Sequence, residues 1–302
     1  MDILEQLISL AQVSGQVDIQ CRLQGSWYMR HEAQTACAIA HIVTQGSGYL
    51  KIDGQKQPHL LKAGDVIFFP RAVGHTLSDR IDPTGHKTIP QTTQNGAFIL
   101  KHSGDNSPDF SLFCARFDYE PQAELFSNLP QVIFLHIDAE NLLTPLIKVL
   151  QNEAETPSMG ATLIIHAISS VLLVSLLRAY MQQGHSMTLS GTLNGWQDRR
   201  LRRLIQMILT QPEQNWSVEQ MTHTANLSRA QLMRLFKQKM AVSPHAFVHK
   251  TRLQKAAQLL KQSNESILSI ALSCGFQSET HFGKAFKKHY HITPGHYRKL
   301  KK

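Results

Sequence analysis

Between residues 17 and 80 short apolar runs alternate with turn-forming stretches (SGQ before them, then GSW, TQGSGYL, KIDGQKQP and KAGD). Alternation of that kind, cut every eight to twelve residues or so by turn residues, predicts a small β-barrel or sandwich. Residues 81–109 are rich in Pro, Gly, Thr and Asn and read as a long loop or flap, after which DFSLFCARFDY resumes the strand pattern and closes the barrel. From residue 141 the period changes. NLLTPLIKVLQNEAE and GATLIIHAISSVLLVSLLRAYMQQG carry apolar residues at helical spacing, the second with an apolar face too broad for solvent. GHSMTLSGTLNGW, residues 184–196, has the composition of a linker, and everything beyond it reads as helices.

Length and charge refine this picture. With 302 residues the chain can bury two cores without disulfides or metals to staple them. Its net charge of +9 is unevenly placed: residues 198–302 hold 19 Lys/Arg against 5 Asp/Glu, so the last third is +14 and the remainder −5. A segment that basic points to a polyanionic partner, with double-stranded DNA as the leading candidate and a merely solvated basic face as the alternative. Cys21, Cys37, Cys114 and Cys274 lack CxxC spacing, and the start of the chain lacks the basic and apolar regions of a secretory signal, so a cytoplasmic protein with reduced thiols is expected. The apolar run at residues 172–180 is interrupted by Arg178 and reads as too short and polar for a membrane span.

The basic third contains two helix-turn-helix units. In NWSVEQMTHTANLSRAQLMRLFKQKM, Ser217 opens one helix, Ala225 and Asn226 break it, and Ser228 caps a second. Leu232, Leu235 and Phe236 then face inward, while Arg229, Ala230, Met233, Arg234 and Lys237 face out, a row able to read guanine, clamp phosphates and meet a thymine methyl. The arrangement recurs in ESILSIALSCGFQSETHFGKAFKKHYHITPGHYRK, with Ser278 as cap and Glu279, Thr280, His281, Lys284, Lys287 and Lys288 outward. A connecting helix over residues 244–262 would let the two units enter successive major grooves.

Through RLFK, A-x-x-C-G-F, F-x-K-x-F-K-K and T-P-G-H-Y-R, residues 201–297 resemble the DNA-binding domain of the AraC/XylS family. The resemblance implies seven helices with two recognition helices, and base readers at Ala230, Met233, Arg234, Glu279, Thr280, His281 and Lys284. The small Ala230 and Gly283 depart from the commoner pattern and shift the reading in the first unit towards Arg234. Cys274, just before a turn, reads as core.

In KAGDVIFFPRAVGH, Gly64, Pro70 and His75 have the spacing of the second cupin motif, and the first domain resembles the cupin sensors of this family. Alternation directs His41 towards His75, with His31 nearby. Neutral imidazoles there suit a soft or borderline transition metal; structural, hydrogen-bonded histidines are the other reading, since the H-x-H pair of metal-binding cupins is missing. A catalytic cupin is the enzyme alternative, which attachment to a DNA reader argues against.

MDILEQLISL followed by VDIQC, the GDVIFFP run and LFCARF resemble the reactive-chlorine-responsive members of the family. That resemblance implies redox-responsive cysteines at Cys21 and Cys114; plain burial of two small apolar side chains is the alternative, and Cys37 reads as core. Arg22 and Arg116 are the neighbouring cations that could favour a thiolate.

The expectation is thus an α+β chain of two domains. Residues 1–183 form a cupin-like β-barrel with a helical dimerisation segment, 184–198 a linker, and 199–302 an all-α double helix-turn-helix domain. It would act as a non-enzymatic transcription regulator, an activator by expectation, that binds promoter DNA, pairs as a homodimer, contacts RNA polymerase and responds to an oxidant or small effector away from any membrane.

Overall fold

The computed structural model describes residues 2–81, 89–104, 107–137, 143–156, 158–182 and 191–300. It divides into two compact units, one of residues Val13–Pro121 and Pro130–His185, the other of Met1–Gln12, Gln122–Leu129 and Ser186–Lys302.

The first unit is a curled, cupin-like half-barrel. Its strands are β1 (Ser14–Leu23), β2 (Tyr28–His31), β3 (Cys37–Ile52), β4 (His59–Lys62), β5 (Asp65–Phe69), β6 (His75–Ser78), β7 (Gln91–Asn95), β8 (Phe98–His102), β9 (Phe110–Asp118) and β10 (Ile133–His136). They run in the order β10-β5-β3-β9-β1-β8-β7, with β4 and β6 on the far half of β3 and β2 on β6. The long β3 makes the curl possible. Its first half pairs with β5 and β9 and its second with β4 and β6, and the register slips between Val43 and Gln45. Gly46 follows at φ +75°, a conformation L-residues rarely adopt, and its Cα lies against the Asp109 carbonyl where a Cβ has no room.

Part of the expected flap is sheet. β7 and β8 form a hairpin across Gly96, at φ +58° after Asn95, and β8 runs parallel to β1. The Asn-Gly turn and the FILKH run after it were the local signal, masked by the polar β7, whose residues are nearly all exposed. Residues 82–88 and 105–106 of that stretch lie outside the described residues.

Trp27, Met29, Leu50, Ile67, Phe69, Leu77, Phe110 and Leu112 fill the barrel together with Cys21 and Cys114. Two helices follow, α3 (Leu143–Glu155) and α4 (Ala161–Gln182). By length and composition α4 would suffice to cross a membrane, longer and more apolar than the interrupted run suggested. One side of it packs on the barrel. At Gly15 of β1 a Cβ would sit 2.9 Å from Ser169 Oγ, and His166 Nδ1 lies 3.1 Å from the Gly15 carbonyl.

The second unit is helical. α1 (Ile3–Leu10) and α2 (Glu124–Ser127) join α5 (Gly191–Gln197), α6 (Arg199–Thr210), α7 (Val218–Ala225), α8 (Arg229–Met240), α9 (Pro244–Gln262), α10 (Ile267–Ser273), α11 (Glu279–Tyr290) and α12 (Pro294–Lys299). Gln6 Nε2 on α1 donates to Thr210 Oγ1 at 2.8 Å, and Lys250 on α9 pairs with Glu124 on α2 at 2.7 Å. Gly191–Gln197, linker by composition, is helical, while 184–190 falls outside the described residues. Ser217, Ser228 and Ser278 each accept a backbone N–H as N-caps, as their position before the apolar runs predicts. Asn226 ends α7 in the left-handed region, so the turn leading to α8 is built by the local sequence.

Candidate functional site

Strand register assembles one polar cluster inside the apolar barrel. His41 on β3 lies directly opposite Cys114 on β9, and His31 on β2 opposite His75 on β6. On the other side of β9, Cys114 is opposite Ile19 of β1 and Leu112 is opposite Cys21, which makes Cys21 and Cys114 diagonal neighbours on one face. Cys21, Cys114, His41 and His75 are all buried, and all four cysteines of the chain are reduced.

The contacts fix the protons of the cluster. His75 Nδ1 is 2.7 Å from the Val73 carbonyl oxygen, which only accepts, so His75 carries its proton on Nδ1. Its Nε2 is therefore an acceptor, and His41 Nε2, 2.8 Å away, must donate to it. That leaves His41 Nδ1 as a lone pair facing Cys114 Sγ at 3.2 Å, able to accept the thiol proton. Cys21 Sγ meets the Met29 sulfur at 3.9 Å.

Burial keeps the cluster uncharged. His31 falls from 6.5 to about 3 through loss of solvent and the neighbouring His75, Lys101 and Arg30. His41 is held well below the usual imidazole range by burial and by the other two histidines, and His75 is lowered chiefly by burial. The Cys114 thiol is pushed far up, first by its hydrogen bond with Cys21 and then by burial. The cation that acts against this shift is Lys101, paired in register with Cys21. Arg116, expected in that role, instead binds Asp118 at 2.8 Å and Gln34 at 2.7 Å and lies near Cys37. Lys101 sits within the stretch that reads as a flap, which hid it from sequence reasoning.

His31, His41 and His75 each offer a ring nitrogen within 4.8 Å of the others. His31 Nε2 is buried without a hydrogen-bond partner, an orphaned lone pair or N–H that a metal bond would satisfy. The donor set fits a borderline cation in that respect.

In the helical unit, α8 presents Arg229, Ala230, Arg234 and Lys237 to solvent with Met233 half-buried, over a seam of Leu232, Leu235 and Phe236. α11 exposes Glu279, Thr280, His281, Lys284, Lys287 and Lys288 above buried Phe282 and Phe286. Cys274 is fully buried behind α11, where burial pushes its thiol up to about 11. Arg252 on α9 holds the second unit in place by donating to the carbonyls of Pro212, Gln214 and Gly275 at 2.7, 2.7 and 2.9 Å.

A cupin family model matches residues 2–182 and a helix-turn-helix domain model matches residues 221–300. The chain is 51% identical over 299 residues, covering 99% of its own length and 98% of the other, to the HTH-type transcriptional regulator MtrA of Neisseria gonorrhoeae. It is 29% identical over 304 residues, 99% and 97% of the two lengths, to the RCS-specific HTH-type transcriptional activator RclR of Escherichia coli K12. A crystal structure of a transcriptional regulator from Chromobacterium violaceum, with an AraC-type DNA-binding domain, matches 35% of this chain and 94% of its own at 33% identity, with a TM-score of 0.34.

Proposed function

The chain belongs to the AraC family of helix-turn-helix transcription regulators with an amino-terminal cupin, and on that premise we propose that oxidation of Cys21 and Cys114 is its signal. The observation that carries this reading is the place of Cys114, flanked by His41 on one neighbouring strand and by Cys21 on the other. A two-electron oxidant takes the sulfur of Cys114 to a sulfenic acid and is itself reduced, while His41 Nδ1 accepts the thiol proton. The Cys21 sulfur then attacks the sulfenic sulfur, and hydroxide leaves with the Cys21 proton as water, giving a disulfide. Because the resting thiol stays protonated, little thiolate is present, and the pair favours strong oxidants over weak peroxides.

A disulfide across β1 and β9 draws two diagonal strand positions together, and the regulator changes state only if that strain is relieved differently in its two forms. Loss of an oxidant response from a promoter reporter in the Cys21→Ser/Cys114→Ser double variant is the expected result; a retained response overturns the thiol mechanism. Activation through RNA polymerase in the cytoplasm, as a homodimer, completes the reading. Leu163, Ile164 and Val171 on α4, 76%, 38% and 47% exposed, support pairing through that helix. Regulators among the relatives support a non-enzymatic cupin.

The orphaned His31 Nε2 favours a second reading, in which His31, His41 and His75 hold a transition metal that supplies a fixed charge tying β2, β3 and β6 together. Metal analysis of the purified protein separates the two: stoichiometric metal, lost in His75→Ala, supports it, and its absence after loading with zinc or copper removes it.

A further inference from the structure

Beside the second recognition helix lies a groove of about 490 Å³ between α9 and α11, lined by His249, His281, Lys284, Lys288 and His289. On α11, His281, Lys284 and Lys288 follow at steps of three and four, a stripe along the edge of the recognition face, with His289 next to Lys288; His249 and Leu253 form the opposite wall one turn apart on α9. Phe276 packs against a residue of each wall, with its ring 5.6 Å from His249 and 5.9 Å from His281.

Among the described residues, the titratable groups that line this groove are all basic. Among the described residues none of the ion pairs involves His249, His281, Lys284, Lys288 or His289, and His289 Nε2 is buried without a hydrogen-bond partner. The cations nearby are used elsewhere: Arg252 is held by three carbonyls and Lys250 by Glu124. Glu124 is the acidic group that reaches His289, and His291 adds a further basic one. Five donors converging on one concavity, with no acid paired to them, form an anion site.

We propose that this groove seats a phosphate of the DNA backbone at the margin of the major groove, and that seating it takes up protons on His249 and His289. A recognition helix lying in a major groove has a phosphate row along each side, and the groove lies to one side of α11, between it and α9. Without DNA both histidines are held below the ordinary imidazole range: loss of solvent leads for both, on the side of His249 turned from solvent as well as at half-buried His289, reinforced at His249 by His281, Arg252 and Lys288 and at His289 by Lys250 and His249. A bound phosphate reverses the balance and favours the imidazolium. Binding therefore strengthens as pH falls. The inference rests on DNA binding by the chain and adds to it a phosphate contact at His249, Lys288 and His289, beside His281 and Lys284 of the expected base-reading row.

The test is fluorescence anisotropy of the full chain on a short duplex of random sequence, at constant ionic strength, from about pH 8 to about pH 6; one fully linked proton changes affinity by up to about tenfold per pH unit. In His249→Gln/His289→Gln the ratio of affinities between the two pH values is expected to shrink about threefold or more. His249→Gln alone, at an exposed position, gives a smaller change in the same direction and stands on its own if the double variant unfolds. Lys284→Gln weakens binding at both pH values and lowers the salt slope by about one. An unchanged pH ratio in His249→Gln overturns the proposal. So does a shift of the His249 and His289 ring signals with inorganic pyrophosphate but not with the duplex, which would assign the groove to a free anion. Failure of the wild-type chain to bind any duplex would instead sink the regulator reading itself.

Discussion

His41 and Cys114 face each other across β3 and β9, with Nδ1 3.2 Å from Sγ, and the chain of hydrogen bonds running on through His75 to the Val73 carbonyl leaves Nδ1 of neutral His41 as an acceptor. Cys114 is therefore a thiol with a base already in contact, though one whose own affinity for a proton is depressed by burial. Cys37, equally buried, meets the Ala38 carbonyl at 3.6 Å and the Phe117 backbone, with neither a histidine nor a second cysteine among its described partners.

That difference yields a prediction about which cysteine matters. Cys37→Ser is expected to keep the oxidant response, while Cys114→Ser and Cys21→Ser each lose it. Mass spectrometry of oxidised protein should find the peptides that carry Cys21 and Cys114 joined by a disulfide; a disulfide that includes Cys37 would refute the assignment.

Three neutral histidines, His41 and His75 buried and His31 half-buried, also predict a loss of stability in acid. Their folded pKa values lie below the unfolded value, so the unfolded chain binds more protons as the pH drops, and stability falls from the ordinary imidazole range downwards. For His31 the window runs from 6.5 to about 3. Each such histidine costs about 1.4 kcal/mol per pH unit within its window. Urea unfolding followed at Trp27, buried in the barrel, should show a midpoint that falls steadily below neutrality; a flat profile would mean the histidines are charged in the fold.

In the reader, Arg234 and Lys287 are expected to fail differently. Arg234→Ala should cost about 1–3 kcal/mol on the preferred site and relax sequence preference at one position. Lys287→Ala should weaken binding on all sequences alike and lower the salt dependence by about one. Quantitative binding to a randomised site library separates the two, and an Arg234 variant with unchanged preference would reject the assigned face.

Arg252 and Gly275 brace the second helix-turn-helix unit from inside. Gly275 sits at φ +85°, with room for a Cβ only 2.7 Å from the Glu213 carbonyl oxygen, and its own carbonyl accepts from Arg252. Gly275→Ala and Arg252→Met are each expected to destabilise the helical unit by about 2–4 kcal/mol, from backbone strain in one case and abandoned carbonyls in the other. Thermal unfolding monitored by helix circular dichroism checks both.

Much of the reader was legible because its determinants are local. Ser217, Ser228 and Ser278 cap helices whose apolar positions repeat at helical spacing, and Asn226 turns the chain between two of them. These signals lie within a few residues of the elements they specify. The charge imbalance of residues 198–302 needs no coordinates at all. The hairpin of β7 and β8 was hidden for the opposite reason: Gln91–Asn95 is an exposed edge, so its sequence carries no apolar alternation to reveal a strand.

By itself, then, the sequence determined the order of a strand-built and a helix-built half, the place of the helix-turn-helix elements, and the histidines and cysteines available for chemistry. Only the tertiary structure decided which of these meet. His41 and Cys114 are 73 residues apart, and Cys21 reaches Lys101 through a parallel pairing with a strand that reads as loop. The physical reason lies in register: a slip of one residue along β3 or β9 would turn these side chains to the opposite face, and register is set by packing across the whole barrel rather than by any stretch of the chain within it.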